Sequence, residues 1–325
     1  MTKIPKISVI MSVFNCEKFI QQAIESVLNQ SFKNFELIII DDKSTDNTLQ
    51  IIERFKKHDS RIVLIKNKIN LGPAKSRNIG ILTSKGEYIA ILDADDISLK
   101  NRFEKQYTFL EQNQDIFLVC CNNYIINENS QIVSTFKVNK KFGVLLPTKN
   151  QIFHSTIMFR NDKNTFYREK FIYSHDYDLY LCIKSRNLKI RCLNDILVKY
   201  RINSSAISFT NSSKQELFSQ KAREFYSQRI NFGKDNYDNF DPQKIMTLNP
   251  LISTNKHVIE SEIKSQFKLN NFKTVRKYCK KYFKLFGYFN IFFVYYLFTF
   301  TNKKIINLVR NCSNFIKYSY NLIQK

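Results

Sequence analysis

The segment AILDADDISLKNRF, residues 90–103, sets Asp93, Asp95 and Asp96 directly behind an apolar run in a chain of formal net charge +23. Three carboxylates this close repel one another unless something positive holds them. Acidic groups at a strand end suit a hard divalent cation, Mg2+ or Mn2+, which takes oxygen ligands and shares its shell with phosphates and water. An Asp-x-Asp turn offers one carboxylate to such a metal and another to a ribose hydroxyl. Turn formation and helix N-capping ahead of Leu99–Phe109 account for one aspartate, Asp96 being the best placed, but not for all three. A second acidic cluster, HDYDL at 175–179, stands where a loop enters a helical pattern. Read from residue type and position alone, Asp176 there is a helix N-cap, and Asp178 a cap or an orienting group.

The elements that must position these groups alternate. ISVIMSV (7–13), FELIIID (35–41), RIVLI (61–65) and EYIAILD (87–93) are β-rich apolar runs. Between them, helical spacing covers Glu17–Gln30, a segment from Leu49 with Ser44 or Asp46 as N-cap, and Pro73–Thr83. Near-continuous apolar strands joined by helices predict a mainly parallel sheet with helices on both faces. Ligands of such sheets bind beyond the carboxyl ends of the strands, where this sequence places Phe14-Asn15, Asp41-Asp42, Asn70–Asn78 and Asp93–Asp96. Residues 115–210 are less regular, with strands expected at 116–120 and 131–138. From about 212 the pattern is helical to the end.

Composition narrows the classes. The seven cysteines include no CxxC pair, which disfavours a zinc site or a disulfide framework and fits reduced thiols in the cytoplasm. The N-terminal residues enter a strand pattern at once, so no signal peptide is expected. From Ile263 to Lys325 there are 13 Lys/Arg and no Asp or Glu, so more than half of the excess charge sits in the last fifth of the chain. The polar loops of the first half are acidic, which disfavours nucleic acid as a partner.

SVIMSVFNCEKFIQQAIESVLNQSFKNFELIIIDDKSTDNT and NLGPAKSRNIGILTSKGEYIAILDADD resemble the opening blocks of glycosyltransferase family 2, and FHSTIMFR (153–160), HDYDL and YRINSSAIS (200–208) resemble its acceptor-side motifs in the same order. The resemblance covers roughly residues 5–208. It implies an α/β, GT-A (Rossmann-like) fold and inverting transfer of a hexose or N-acetylhexosamine from a nucleotide-sugar, with a UDP-sugar the expected donor, and a divalent cation, Mn2+ or Mg2+. It places Phe14 and Asn15 beside base and ribose, Asp41 on uracil with Asp42 next to it, Arg77 near base or diphosphate, Asp93 on ribose, and Asp95 on the metal. Asp176 matches the catalytic base, and His154, His175 and Arg201 fall on the acceptor side.

Two positions depart from the family pattern: His175 stands where Glu is usual before the base, and Asn203 replaces a frequent His. The chain has no Trp and therefore lacks the Gln-x-x-Arg-Trp motif of processive members, so transfer of one sugar per encounter is expected. A non-catalytic nucleotide-sugar or glycan-binding protein on the same fold is the alternative.

The expected organisation is a catalytic domain at 1–210, with its nucleotide-sugar half at about 1–120 and its acceptor half at about 121–210, followed by a basic helical region at 211–325. In that region no residue from Leu285 to Asn302 is charged, and apolar residues from Ile305 to Ile323 recur at amphipathic helical spacing. Basic, aromatic and amphipathic sequence fits a helix lying in an anionic membrane surface. A single span and packing onto protein are the other readings. A glycan or lipid-linked acceptor, in surface polysaccharide, capsule or lipopolysaccharide synthesis at the inner face of the cytoplasmic membrane, suits this reading. A homodimer is left open.

Overall fold

The computed structural model describes residues 4–202, 211–248, 253–268, 270–288 and 290–300. In the first part of the chain the elements run β1 (Ile7–Val13), α1 (Ile20–Leu28), β2 (Phe35–Asp41), α2 (Thr48–His58), β3 (Ile62–Lys66), α3 (Pro73–Thr83), β4 (Tyr88–Ile91), β5 (Ile97–Ser98) and α4 (Arg102–Gln112). There follow β6 (Ile116–Ile126), β7 (Ile132–Phe136), α5 (Phe142–Leu145), β8 (Met158–Arg160), α6 (His175–Ser185) and β9 (Lys189–Arg201). The strands form one sheet in the order β3-β2-β1-β4-β8-β6-β9-β5, with β7 paired to β6.

The first part of the sheet is parallel: β1 pairs β2 and β4, and β2 pairs β3. β8 runs antiparallel between β4 and β6. All seven β2 residues are buried, as a strand covered on both faces requires. Because β2 and β4 flank β1 on opposite sides, the strand order reverses there, and a crevice opens beyond their carboxyl ends. The register aligns Val13 with Asp41, which brings the loops after β1 and β2 side by side.

Two features depart from the sequence expectation. β9, thirteen residues long, lies where no strand was expected; only part of it is buried and its pairing with β6 is interrupted by register shifts. The strand expected at 87–93 ends at Ile91, so Asp93 already belongs to the turn.

The chain divides into two compact units, Met1–Asn203 with Lys221–Phe240, and Ser204–Gln220 with Asp241–Lys325. Helix α7 (Ser212–Phe232) contributes its later half to the first unit. There Phe225, Tyr237 and Phe240 gather around Phe171, and Arg168 pairs with both Asp178 and Asp235. The second unit holds α8 (Gln243–Met246), α9 (Lys256–Lys268), α10 (Phe272–Phe286) and α11 (Ile291–Phe298). Its core joins Ile259 and Ile263 to Val275, Cys279, Phe283 and Phe292.

The uncharged stretch from Leu285 is not one helix. Gly287 takes φ +85° and ends α10, and the Asn290 side chain caps α11 by accepting the Phe292 N–H. No helix among the described residues is long and apolar enough to cross a membrane. The amphipathic segment 305–323 and Asn203 lie outside the described residues.

Gly86 shows how closely the sheet is approached. A Cβ there would meet the Ser8 backbone N at 2.5 Å and the Ile7 carbonyl carbon at 2.8 Å. We expect Gly86→Ala to cost about 2 kcal/mol or more in urea unfolding, because backbone must move. Gly143→Ala, with nothing within 4 Å of the added methyl, is expected to be neutral or slightly stabilising.

Candidate active site

On the donor side, the loop after β1 turns through Asn15 at φ +48°. The Asn15 backbone N–H donates to Ser44 Oγ at 3.1 Å, and its Oδ1 accepts the Thr45 N–H at 2.8 Å, which locks the β1 and β2 loops together. Phe14 stands 49% exposed at the mouth. Asp41 and Asp42, neighbours in sequence, do different work. Asp42 accepts Asn67 Nδ2 and the Leu71 and Gly72 N–H groups, each at 2.8 Å, so its carboxylate is committed to shaping the loop that starts α3. Asp41 accepts only the Ser44 N–H, at 3.3 Å, through Oδ2, and its buried Oδ1 has no hydrogen-bond partner. A buried acceptor left open in this way is suited to an N–H of a bound ring.

Arg77 projects from α3 and is 6% exposed. One terminal nitrogen donates to Asp93 Oδ1 at 2.6 Å and the other to His175 Nε2 at 2.6 Å. Its Nε is buried without a partner. The Asp93 N–H donates to Ser155 Oγ at 3.0 Å, which fixes the turn after β4 to the segment before β8.

Asp95 and Asp96 are held by their backbone and by Arg201. Arg201 Nε donates to the Asp95 carbonyl at 2.7 Å, and its own N–H donates to Asp96 Oδ1 at 2.7 Å. The other guanidinium nitrogens reach the Asn127 and Glu128 carbonyls, Ser130 Oγ and Gln22 Oε1. Arg201 therefore clamps the acidic turn from behind. Among the described residues the Asp95 carboxylate forms no ion pair; burial and the neighbouring Asp93 charge push its pKa up to about 6. Asp96 is raised further, by burial and then by Asp95 and Asp93.

That is the state expected of carboxylates awaiting a cation. No set of three or more metal-ligating side chains occurs among the described residues. The fit is to a hard divalent ion held by Asp95 and completed by substrate oxygens, the usual mode for Mg2+ and Mn2+ at phosphates.

On the acceptor side, Ser174 takes φ +54° and starts α6, which puts His175 and Asp176 in the first turn. Burial raises the pKa of Asp176, and Asn150 Nδ2 donates to its Oδ2 at 3.2 Å. Asp178 points away, fully buried in its pair with Arg168. His154 lies in the 3-10 turn before β8, with Nδ1 2.7 Å from the Tyr180 hydroxyl and Nε2 2.7 Å from the Tyr167 hydroxyl, so both ring nitrogens are engaged within the protein. Burial, followed by the charge of Arg77, keeps His175 neutral by lowering its pKa well below the usual value.

The structure thus gathers Asp41, Arg77, Asp93, Asp95, His175 and Asp176 around the crevice. Asp42, His154 and Arg201 support it from behind. Ser155, Asn150, Tyr167 and Gln22 also shape the site. Ser155 and Gln22 lie inside the quoted motifs, whereas Asn150 and Tyr167 lie outside them and carry no sequence signal.

The fold is shared with proteins of known structure, and the sequence with a known family. The glycosyl transferase family 2 profile matches residues 8–176. The Escherichia coli UDP-Glc:alpha-D-GlcNAc-diphosphoundecaprenol beta-1,3-glucosyltransferase WfaP is 35% identical over 205 residues, which are 62% of this chain and 79% of the relative. The S. aureus TarS 1–349 structure with UDP-GlcNAc superposes with a TM-score of 0.55 at 19% identity, covering 87% of this chain and 89% of that one. A Pyrobaculum calidifontis mannosyltransferase solved with GDP-Man and Mn2+ gives 0.55 at 14% identity, covering 92% and 89%. The chain belongs to glycosyl transferase family 2, enzymes that transfer sugars.

The raised pKa of Asp95 has a consequence for stability. A carboxyl raised on folding favours the folded state most below its unfolded pKa near 4, and that contribution is lost as pH rises through about 6. In ligand-free protein, Asp95→Asn is expected to leave the unfolding midpoint near wild type at pH 4. The variant should become progressively more stable than wild type towards pH 7, which thermal melts across that range will read.

Proposed function

We propose that this protein is an inverting transferase that moves one sugar per encounter from a UDP-sugar to a hydroxyl of a lipid-linked glycan, in assembly of a surface polysaccharide. The observation that carries the reading is Asp176 in the first turn of α6, buried with its pKa raised and near enough to Arg77 and Asp93 to feel their charges. The open Asp41 Oδ1 would accept the uracil N–H, Phe14 and Asn15 would border base and ribose, and Asp93 would take a ribose hydroxyl. Arg77, with a hydrogen unused at Nε, would face the diphosphate.

Asp95 would hold the divalent cation, whose chemistry is to neutralise charge on the departing diphosphate. Asp176 would accept the proton of the acceptor hydroxyl as its oxygen attacks the anomeric carbon. The bond from that carbon to the diphosphate oxygen breaks in the same displacement, and configuration inverts. The raised pKa makes Asp176 a stronger base than an ordinary carboxylate, and Asn150 orients it.

The lipid-linked acceptor is supported by the diphosphoundecaprenol-linked substrate of the Escherichia coli relative, and the UDP donor by that relative and by TarS. We place the enzyme as a peripheral protein at the inner face of the cytoplasmic membrane. The basic C-terminal region, where Phe286, Tyr288, Phe293 and Phe300 are exposed, supports that placement.

The test is transfer and donor hydrolysis with a panel of UDP-sugars, with and without Mn2+. Asp176→Asn is expected to lower transfer by about 100-fold or more while donor binding persists, and Asp95→Ala to remove the response to Mn2+. Full transfer by both variants would contradict these assignments.

A further inference from the structure

We propose that residues 137–149, which border the base, form a membrane-docking lip that seats on an anionic phospholipid bilayer. The inference rests on the reading of Asp176 as the base for a lipid-linked acceptor, and it concerns a surface of the catalytic unit, separate from the basic C-terminal region.

The lip is built to present an apolar tip. Phe142 and Leu146, four residues apart around α5, are buried and anchor it. Val144 is 79% exposed and Leu145 also faces solvent. Cross-links hold its base firmly: the Tyr177 hydroxyl donates to the Leu146 carbonyl at 2.7 Å, and the Val138 N–H donates to Asn122 Oδ1 at 2.8 Å. Through Asn150 the lip ends on Asp176 itself. An exposed valine–leucine pair on a single turn of helix would ordinarily cost solubility without return.

The charge around that tip is of one sign. Between Glu128 and Asp162 the sequence has no acidic residue. Lys137, Lys140, Lys141 and Lys149 are exposed, and none of them pairs with a carboxylate. Unpaired lysines ringing an apolar tip complement lipid phosphates around a headgroup layer that admits a few aliphatic side chains. A soluble polyanion would use the lysines but gain nothing from Val144 and Leu145. Seated this way, the lip would bring Asp176 to the surface on which a lipid-linked hydroxyl is presented.

The absence of tryptophan from the chain supplies a direct probe. In full-length protein, Val144→Trp provides a single emitter at the tip, and Leu82→Trp, at an exposed α3 position, provides one away from it. With vesicles of phosphatidylglycerol and phosphatidylcholine, emission from position 144 is expected to shift to the blue and emission from position 82 to stay unchanged. Neither should move with inorganic polyphosphate.

Lys137→Gln/Lys140→Gln/Lys141→Gln/Lys149→Gln should weaken sedimentation with the same vesicles by about tenfold or more. Its UDP-sugar hydrolysis should remain at the wild-type level, so failure of the lip is separable from failure of the proposed activity. Equal vesicle binding by this variant and wild type would overturn the proposal. So would no shift at position 144, a shift at 144 with polyphosphate, or loss of binding only when Lys273, Lys277, Lys280, Lys281 and Lys284 are changed to Gln.

Discussion

A buried guanidinium ties the two halves of the site together. Arg77 leaves α3, reaches Asp93 behind β4, and reaches His175 at the start of α6. A cation removed from water must be paired and hydrogen-bonded, or the fold loses several kcal/mol. Asp93 supplies the charge and His175 a neutral acceptor. Because arginine only donates, His175 Nε2 must accept and its proton must lie on Nδ1, which is buried without a hydrogen-bond partner. A glutamate at 175 would set a second carboxylate against Arg77 and beside Asp176. The histidine keeps Arg77 from being over-neutralised and spares the candidate base a like-charged neighbour. The position that departs most plainly from the family pattern is thus the hinge of the electrostatics.

The acidic turn follows the same logic of deferred pairing. Asp93 is satisfied by Arg77, Asp96 is bonded to the Arg201 N–H, and Asp95 is left raised and open between them. The backbone of the turn is tied to Ser155 and to the Arg201 side chain, so the repulsion is held in place rather than relieved by movement. In the proposed function a divalent cation with a diphosphate attached would supply the pairing charge at this turn.

The parallel half of the fold was legible because β1, β2 and β4 are covered on both faces and therefore read as unbroken apolar runs. The polar loops at their ends could be grouped from the sheet rule alone. β9 was not legible: Lys189, Arg191, Asn194, Asp195 and Lys199 interrupt it, and only its pairing with β6 makes it a strand. At the site, the clustered aspartates at 93, 95 and 96 stood out by residue type, whereas Asp41, Arg77 and Asp176 were singled out by the family resemblance. Neither gave a way to see that Asp42 spends its oxygens on loop N–H groups, that His154 is caught between two tyrosines, or that Arg201 faces carbonyls. Such partners come from segments up to 179 residues away, as in the Arg201–Gln22 bond. Asn150 had no signal at all. The uncharged stretch from Leu285 read as one unit because hydropathy cannot show that Gly287 turns the chain.

The central claim is that Asp95 and a bound nucleoside diphosphate together hold a divalent cation. Calorimetric titration of UDP into the full-length protein, with and without Mn2+, tests it most directly. Mn2+ is expected to tighten UDP binding by about tenfold or more in wild type, since a hard cation would take oxygen ligands from both Asp95 and the diphosphate. In Asp95→Asn that gain should vanish while metal-free UDP affinity is preserved. Equal UDP affinity with and without Mn2+ in wild type, or an undiminished Mn2+ effect in Asp95→Asn, would contradict it.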